Sequence, residues 1–168
     1  MKKADHYTYR VSWSPEDGEY VVTTDPATVD REVVWTFLHT QAYWGRWRDR
    51  ATVESQIDQA WRVAAVVEAA SGATVGFARA ISDGLSVAYL ADVFVLAEHR
   101  GRGLGRRLVA AMVDDEVGAR LRWMLHTVDG HGLYRGFGFR EPDGRYLERE
   151  PGRRVCGDGP AEPVGPVG

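Results

Sequence analysis

The sequence contains a single cysteine among 168 residues, so no disulfide can form within the chain. Without a disulfide framework, a reducing compartment is the default expectation. No apolar run approaches the roughly 18 residues of a membrane-spanning helix. The polar residues 1–9 also lack the apolar core of a signal peptide. We therefore expect a cytoplasmic protein without a membrane partner.

Basic residues are not in excess, since 21 lysines and arginines stand against 24 acidic residues, for a net charge of -3. Nucleic-acid-binding domains usually carry a basic surface, so no nucleic-acid partner is expected. The five histidines show no metal-ligand spacing, and no metal site is predicted. What the chain does contain is a 44% hydrophobic share, enough for the core of one domain.

The spacing of apolar residues predicts the order of the elements. Two amphipathic helices follow a first strand at 19–24; Thr28 or Asp30 is expected to cap the first helix and Thr52 the second. Residues 1–18 are predicted to be an N-terminal extension with a possible extra strand, and the Gly- and Pro-rich residues 151–168 a disordered tail. The remaining predicted elements are antiparallel strands at 62–68, 74–81 and 86–96, a helix after Gly105, a strand at 121–127, a short helix, and a hairpin at 139–148.

The most informative segment is 93–109, in which an apolar strand ends at a polar turn and three glycines open a helix. Backbone N–H groups at a helix start have no intrahelical partner, so this segment predicts an anion site. Arg106 and Arg107 lie in the first turn, where the helix dipole disfavours cations unless an anion binds. A dinucleotide fingerprint is excluded because it needs glycine at 106 or 108, and a P-loop because Gly-Lys-Ser/Thr is absent.

What remains is Arg100-x-x-Gly103-x-Gly105, which begins five residues after Val95. It resembles the acyl-CoA pyrophosphate loop of the GNAT superfamily of N-acetyltransferases. A second segment, residues 133–139, is similar to the family's aromatic-Tyr-x-x-x-Gly-Phe motif after the fifth strand. Residues 19–150 are therefore identified as a GNAT domain, similar to a widespread and poorly characterised bacterial subgroup.

The resemblance implies an α+β (mixed α/β) fold with a central, mostly antiparallel twisted sheet that is flanked by helices and splayed between strands 4 and 5. It implies an N-acetyltransferase that uses acetyl-CoA as co-substrate and transfers the acetyl group directly to a primary amine of a small molecule. Two alternatives stay open: a protein N-terminal or lysine acetyltransferase, and a catalytically inactive CoA-binding regulatory module. A homodimer is common in such folds and is a further option.

The resemblance also implies catalytic roles. Tyr134 matches the tyrosine placed near the thioester sulfur, so it is expected to act as general acid. Asp92 lies where spermidine-type members place acidic residues, and it is expected to serve as base or ammonium anchor. Its side chain should point away from the face of Val93 and Val95 unless a bulge intervenes.

The expected binding residues follow from the same motifs. The arm of the cofactor would lie along the backbone of β-strand residues 93 and 95 like an added strand. The cofactor-binding set is Val93, Val95, Arg100, Gly101, Arg102, Gly103, Leu104, Gly105, Arg106 and Thr127. The acceptor-binding set is Tyr43, Trp44, Tyr89 and His131. The aromatic loop 43–48 is either a substrate wall, for an aromatic or partly anionic acceptor, or a lid over the core, and His131 has a structural role at a helix start as its alternative.

Overall fold

The structure is a computed structural model that describes residues 19–148. The predicted extension at 1–18 and the predicted tail at 151–168 lie outside the described residues. Within 19–148 the α-helices and β-strands follow the predicted order up to α4. They are β1 Tyr20–Thr23, α1 Arg31–Thr40, α2 Arg50–Gln59, β2 Arg62–Glu68, β3 Thr74–Ser82, β4 Val87–Val95, α3 Leu104–Val113, β5 Arg122–Met124 and α4 His131–Arg135.

The strands form one sheet in the order β1-β2-β3-β4-β5. The pairs β1–β2, β2–β3 and β3–β4 are antiparallel, whereas β4 and β5 are parallel. The parallel pairing runs only from Val87 opposite Arg122 to Tyr89 opposite Met124, although β4 continues to Val95. The predicted mostly antiparallel sheet, splayed between strands 4 and 5, is confirmed.

Aspartates set the starts of both N-terminal helices. The Asp30 carboxylate accepts hydrogen bonds from the backbone N–H groups of Glu32 and Val33, which confirms one of the two predicted caps for α1. For α2 the predicted cap was wrong. Asp49 caps this helix, and Thr52 is the residue whose N–H donates to the Asp49 carboxylate, at 2.8 Å.

Both faces of the sheet are covered. On one face α3 packs Leu104, Leu108 and Met112 against Ala78 and Leu90. On the other face α1 and α2 cover Phe77 and Phe94, and the Phe37 ring stacks on Phe94 with centroids 3.9 Å apart. Burial on both sides explains the nearly continuous apolar sequence of the central strands. None of the helices within 19–148 has the length and apolar character needed to cross a bilayer.

The hairpin predicted at 139–148 is absent, because this segment contains turns and no strand. Phe139 packs beside Tyr134, but Leu147 towards the end of the segment is 91% exposed and has nothing to pack against. The neighbouring strand β5 is also only three residues long, shorter than the predicted 121–127. Without a buried face or a long edge to pair with, the local alternation does not produce a strand.

Candidate functional site

A bulge in β4 shapes the site. Arg79 lies opposite Ala91 and Phe77 opposite Phe94, so β4 has one more residue than β3 over this stretch. Asp92 at this point has φ 54, the only positive φ of a non-glycine residue within 19–148. In a regular strand Leu90 and Phe94, four residues apart, would lie on the same face of the sheet. Because of the extra residue, Phe94 instead faces α1 and α2, whereas Leu90 packs on the α3 side.

A cleft of about 1250 Å³ lies beside the bulge. Its wall combines β4, the glycine loop before α3, the segment between β5 and α4, and the loop between α1 and α2. The cleft thereby brings together most of the predicted site residues. They are Tyr43, Trp44, Tyr89, Asp92, Val93, Val95, Arg100, Gly101, Gly103, Leu104, Gly105, Arg106, Thr127 and Tyr134.

The glycine loop has the backbone conformation of an anion site. Gly101 and Gly103 have φ values of 78° and 72°, and Gly103 is the N-cap of α3. A Cβ at either position would meet no atom within 4 Å, so conformation and not space requires glycine there. The helical hydrogen bonds of α3 start with Arg107 N–H to Gly103 C=O at 3.1 Å, and the preceding N–H groups at 104–106 have no intrahelical acceptor. This geometry can hold a phosphate group.

The side chains of the three arginines in the glycine loop point in different directions. Arg106 lines the cleft, with its guanidinium 5.0 Å from the centroid of the Phe137 ring. Arg102 is not among the lining residues; its Nη1 donates to Glu19 Oε1 at 2.8 Å on the other side of the loop. Arg100 turns back to donate from Nε to the Val95 carbonyl at 2.9 Å. The sequence treated all three as equivalent, whereas in the structure Arg100 and Arg106 line the cleft and Arg102 does not.

Tyr134 of α4 lies in the cleft wall, half-buried, with its ring 5.8 Å from that of Phe139. Burial, helped by the charge of Asp129 and the nearby Tyr43, raises the pKa of Tyr134 to about 12. The phenol therefore stays protonated and can donate a proton. Gly130 makes room for it, since a Cβ there would lie 2.7 Å from Tyr134 Cε2.

Two further predicted residues have local roles. Thr127 Oγ1 accepts a hydrogen bond from the Gly130 N–H at 2.8 Å and so shapes the turn into α4, while it lines the cleft. His131 is exposed at the first position of α4 and is not part of the cleft wall. The structure thus places His131 at a helix start, the alternative that the sequence left open.

Asp92 is buried between two arginines. Its carboxylate accepts hydrogen bonds from Arg48 at 2.9 and 2.8 Å, and from Arg79 Nε at 2.5 Å. Burial alone would raise the pKa of Asp92, but the two guanidiniums outweigh it and hold the pKa below its ordinary value. With both oxygens occupied, this carboxylate is poorly suited to accept a proton from an amine. Its partner Arg48 also bonds Gln56 of α2, so Asp92 lies on the side of the sheet where Phe94 packs, whereas Val93 and Val95 pack on the α3 side.

A second polar pair lies at the point where β4 and β5 separate. The Tyr89 hydroxyl and His126 Nδ1 are 2.7 Å apart, and both residues line the cleft. His126 Nε2 lies 3.4 Å from Glu148 Oε2, and the His126 side chain is half exposed. Burial raises the pKa of the Tyr89 phenol. The pair can carry a proton between the cleft and solvent.

The loop between α1 and α2 forms an aromatic wall. Gly45 lets it pass over the end of α1, since a Cβ there would lie 2.3 Å from the Leu38 carbonyl oxygen. The rings of Tyr43 and Trp44 meet edge to face, with centroids 4.8 Å apart, and both side chains are exposed in the cleft wall. Trp47 is 75% exposed, so these aromatics do not form a lid over the core.

Sequence reasoning did not select Arg79, Asp129 or His126 as site residues, although all three line the cleft. A signal for Arg79 was present, because it is the one charged residue within the otherwise uncharged strand β3. Asp129 and His126 follow a short strand and carry no local pattern that separates them from ordinary surface residues. Their positions depend on the divergence of β4 and β5.

Comparison with known proteins shows which family the chain resembles. The family model of the acetyltransferase (GNAT) domain matches residues 60–141. A crystal structure of a candidate acetyltransferase of the GNAT family from Xanthomonas campestris pv. campestris is 36% identical, with a TM-score of 0.72; the match covers 78% of this chain and 92% of that one. A candidate acetyltransferase of Gibberella zeae is 29% identical over 70% of this chain and 76% of its own length.

More distant structures share the fold. Glucosamine-6-phosphate N-acetyltransferase from Arabidopsis thaliana superposes with a TM-score of 0.57 at 13% identity, over 77% of this chain and 97% of that one. At such identity the likeness concerns the fold alone. The identity to the Xanthomonas protein, the coverage of nearly its full length and the glycine loop at the cleft together show that this chain belongs to the GNAT acetyltransferase family.

Proposed function

We propose that the protein is an acetyl-CoA-dependent N-acetyltransferase that transfers the acetyl group directly to a primary amine of a small molecule. The observation that carries this proposal is one cleft that joins the glycine loop, a protonated Tyr134 and the aromatic wall of Tyr43 and Trp44. Direct transfer needs all three parts within reach of one another. Acetyl-CoA would supply the acetyl group as an activated thioester.

The residues present fit such a co-substrate. N–H groups at the start of α3, with Arg106 beside them, suit a pyrophosphate. Beyond Tyr89, β4 has no strand partner on the β5 side within 19–148. The backbone of Val93 and Val95 can therefore pair with an extended amide-containing arm, as an exposed strand edge pairs with a peptide.

Proton transfers are assigned to two sets of side chains. The Tyr134 hydroxyl is protonated and suits donation to a departing thiolate. The Tyr89–His126 pair, open to solvent through His126, suits removal of a proton from the amine. Asp92 is proposed to position Arg48 and Arg79 instead of acting as base or ammonium anchor, because both arginines hold its carboxylate.

The first test is a calorimetric titration of the protein with acetyl-CoA. We expect Arg106→Glu to weaken binding at least tenfold, because it places a negative charge in the cleft wall beside the N–H groups at the start of α3. Arg102→Glu is the matched control, because that side chain points to Glu19 instead of the cleft. Equal effects of the two reversals, or no binding by the wild type, would contradict the proposed site.

Binding without turnover would favour the regulatory-module alternative. A screen for thiol release with acetyl-CoA and a panel of primary amines decides this point. The same screen with peptides bearing a free N-terminus or a lysine tests the protein-acetyltransferase alternative. Release of thiol with small amines, and not with peptides, is the outcome that the proposal expects.

A further inference from the structure

In the part of the chain that the structure describes, two buried arginines at the cleft share a single acidic partner. Arg48 and Arg79 both form ion pairs with Asp92, and the three side chains are 3%, 9% and 4% exposed. Within 19–148 no second carboxylate lies within ion-pair distance of either arginine. An uncompensated buried charge is costly. Within the described residues the cluster therefore carries one positive charge in excess.

The hydrogen bonds show which of the two arginines has terminal nitrogens without a partner among the described residues. Arg48 uses Nη1 for Gln56 and Asp92 and Nη2 for Asp92, so its terminal nitrogens are occupied. Arg79 donates only through Nε, to Asp92. Its terminal nitrogens Nη1 and Nη2 make no hydrogen bond to the part of the chain that the structure describes. Arg79 lines the cleft, so these donors are available to a ligand.

This cationic position is separate from the glycine loop. Arg79 belongs to β3, opposite Ala91 and beside the bulge, whereas Arg100 and Arg106 belong to the segment that leads into α3. Arg48, which shares Asp92 with Arg79, belongs to the same loop as Tyr43, Trp44 and Trp47 of the aromatic wall. A pyrophosphate at α3 would leave the Arg79 donors unused.

We infer that the acceptor is an amine that also carries an anionic oxygen group, a carboxylate or a phosphate, and that Arg79 binds this group through its terminal nitrogens. The inference rests on the proposed function, because it names the substrate class of that same cleft. A guanidinium presents paired N–H donors that match the two oxygens of a carboxylate or phosphate. The rings of Tyr43 and Trp44 would contact the body of the same molecule.

A purely structural role for Arg79 predicts different behaviour. Arg79→Gln removes the excess charge and leaves Asp92 in its bidentate pair with Arg48, so a neutral pair stays in place. We therefore expect this variant to fold. If Arg79 only supported the fold, the variant would lose stability without a selective change towards anionic ligands.

The direct test is a calorimetric titration at saturating CoA with three probes that lack an amine. They are 3-phenylpropionate, phenyl phosphate and the uncharged 3-phenylpropanol. We expect the wild type to bind one of the anionic probes, and Arg79→Gln to weaken that binding about 10- to 100-fold, the range for a hydrogen bond to a charged group. The probe that binds identifies the group as carboxylate or phosphate.

Failure to bind either anionic probe, or equal binding by wild type and Arg79→Gln, overturns the inference. Arg120→Gln serves as control, because that exposed arginine pairs with Glu116, four residues earlier in the chain. If Arg79→Gln does not fold, Arg79→Lys is the variant to test, because it retains the positive charge and loses the paired N–H donors. We expect Arg79→Lys to bind the anionic probe about fivefold or more weakly than the wild type.

Two measurements separate this inference from the proposed function. The affinity for acetyl-CoA should be the same in Arg79→Gln as in the wild type. A wild type that does not bind acetyl-CoA would contradict the proposed function, whatever the probes show. With acetyl-CoA bound, kcat/KM should favour phenylalanine over phenethylamine, or phosphoethanolamine over ethanolamine, at least tenfold. Turnover that favours the uncharged amines would overturn the inference and leave the acetyltransferase assignment intact.

Discussion

Arg48 and Asp92 form a bidentate buried pair, with Nη1 to Oδ2 at 2.9 Å and Nη2 to Oδ1 at 2.8 Å. The pair connects the loop after α1 to the bulge of β4, two segments that are 44 residues apart in the chain. Through this contact the aromatic wall has a defined position relative to the strand edge. The site therefore depends on a long-range ion pair as much as on the glycine loop.

Removal of the Asp92 charge should destabilise the fold at neutral pH. We expect Asp92→Asn to lower the free energy of unfolding by about 3–5 kcal/mol, the magnitude found when a buried ion pair loses one partner. The folded-state pKa of Asp92 is lowered. Its stabilising contribution is thus present above the unfolded value near ~3.9 and is lost as the pH falls through the lower folded value.

Urea unfolding of wild type and Asp92→Asn at a series of pH values measures this effect. The difference in unfolding free energy should be largest near neutrality and shrink as the pH falls below about 4. Asp143→Asn, at an exposed aspartate paired with Arg145, should change stability little. A rate that no longer rises with pH in Asp92→Asn would restore Asp92 as the base.

Tyr134→Phe should lower turnover while acetyl-CoA affinity is unchanged. A positioned acid typically contributes about 10²–10⁴-fold to the rate, and this hydroxyl has a pKa of about 12. The wild-type rate should consequently show no fall from deprotonation of Tyr134 up to about pH 10. Thiol release at saturating acetyl-CoA measures the rate, and Tyr20→Phe, which alters a hydroxyl bonded to His99 and outside the cleft, is the control. An unchanged rate in Tyr134→Phe would remove the acid assignment.

His126→Gln should lower kcat/KM for the amine, because the imidazole is the group that passes the amine proton to solvent. Tyr89→Phe should have the same direction of effect, since it breaks the 2.7 Å contact with His126 Nδ1. Thiol release at saturating acetyl-CoA and varied amine concentration measures kcat/KM. His39→Gln, whose ring stacks on Trp35 of α1, should leave kcat/KM unchanged. An unchanged kcat/KM in His126→Gln would show that the proton takes another route.

Gly103→Ala should weaken acetyl-CoA binding through the backbone. At φ 72° an alanine costs about 1–2 kcal/mol, and relief of this strain would turn the N–H groups at the start of α3 away from a phosphate. Gly72 is a matched control, because it has φ 73° in the β2–β3 turn and also has no atom within 4 Å of an added Cβ. Both substitutions should lower the melting temperature similarly, and only Gly103→Ala should change the calorimetric affinity. A matching affinity loss in Gly72→Ala would point to global destabilisation instead.

The local features of the fold were predictable from the sequence. Apolar periodicity predicted α1, α2, the strands β2 to β4 and the glycine-started helix, because each pattern reflects burial of one face. The prediction of a hairpin at 139–148 was wrong, because the local pattern there is not accompanied by burial of one face. Its alternating residues satisfy the local pattern, but the exposed Leu147 has no surface to pack against.

The candidate site was predictable only where its residues lie close together in the chain. The glycine loop and Tyr134 belong to short motifs whose backbone geometry is local, and the structure places both in the cleft. Asp92 was recognised as a site residue, but its partners were not. Arg48 and Arg79 reach it from 44 and 13 residues away, and no local pattern encodes those distances.

The sequence by itself determined the order of elements, the turn at Gly103 and the motif around Tyr134, since backbone hydrogen bonding and side-chain burial act over a few residues. Only the tertiary structure decided which charges meet. The one-residue bulge at Asp92 sets which face each side chain of β4 takes, and the separation of β4 from β5 opens the cleft. Both depend on strand register, a property of the whole sheet, and through it Asp92 became an ion-pair partner instead of a free carboxylate.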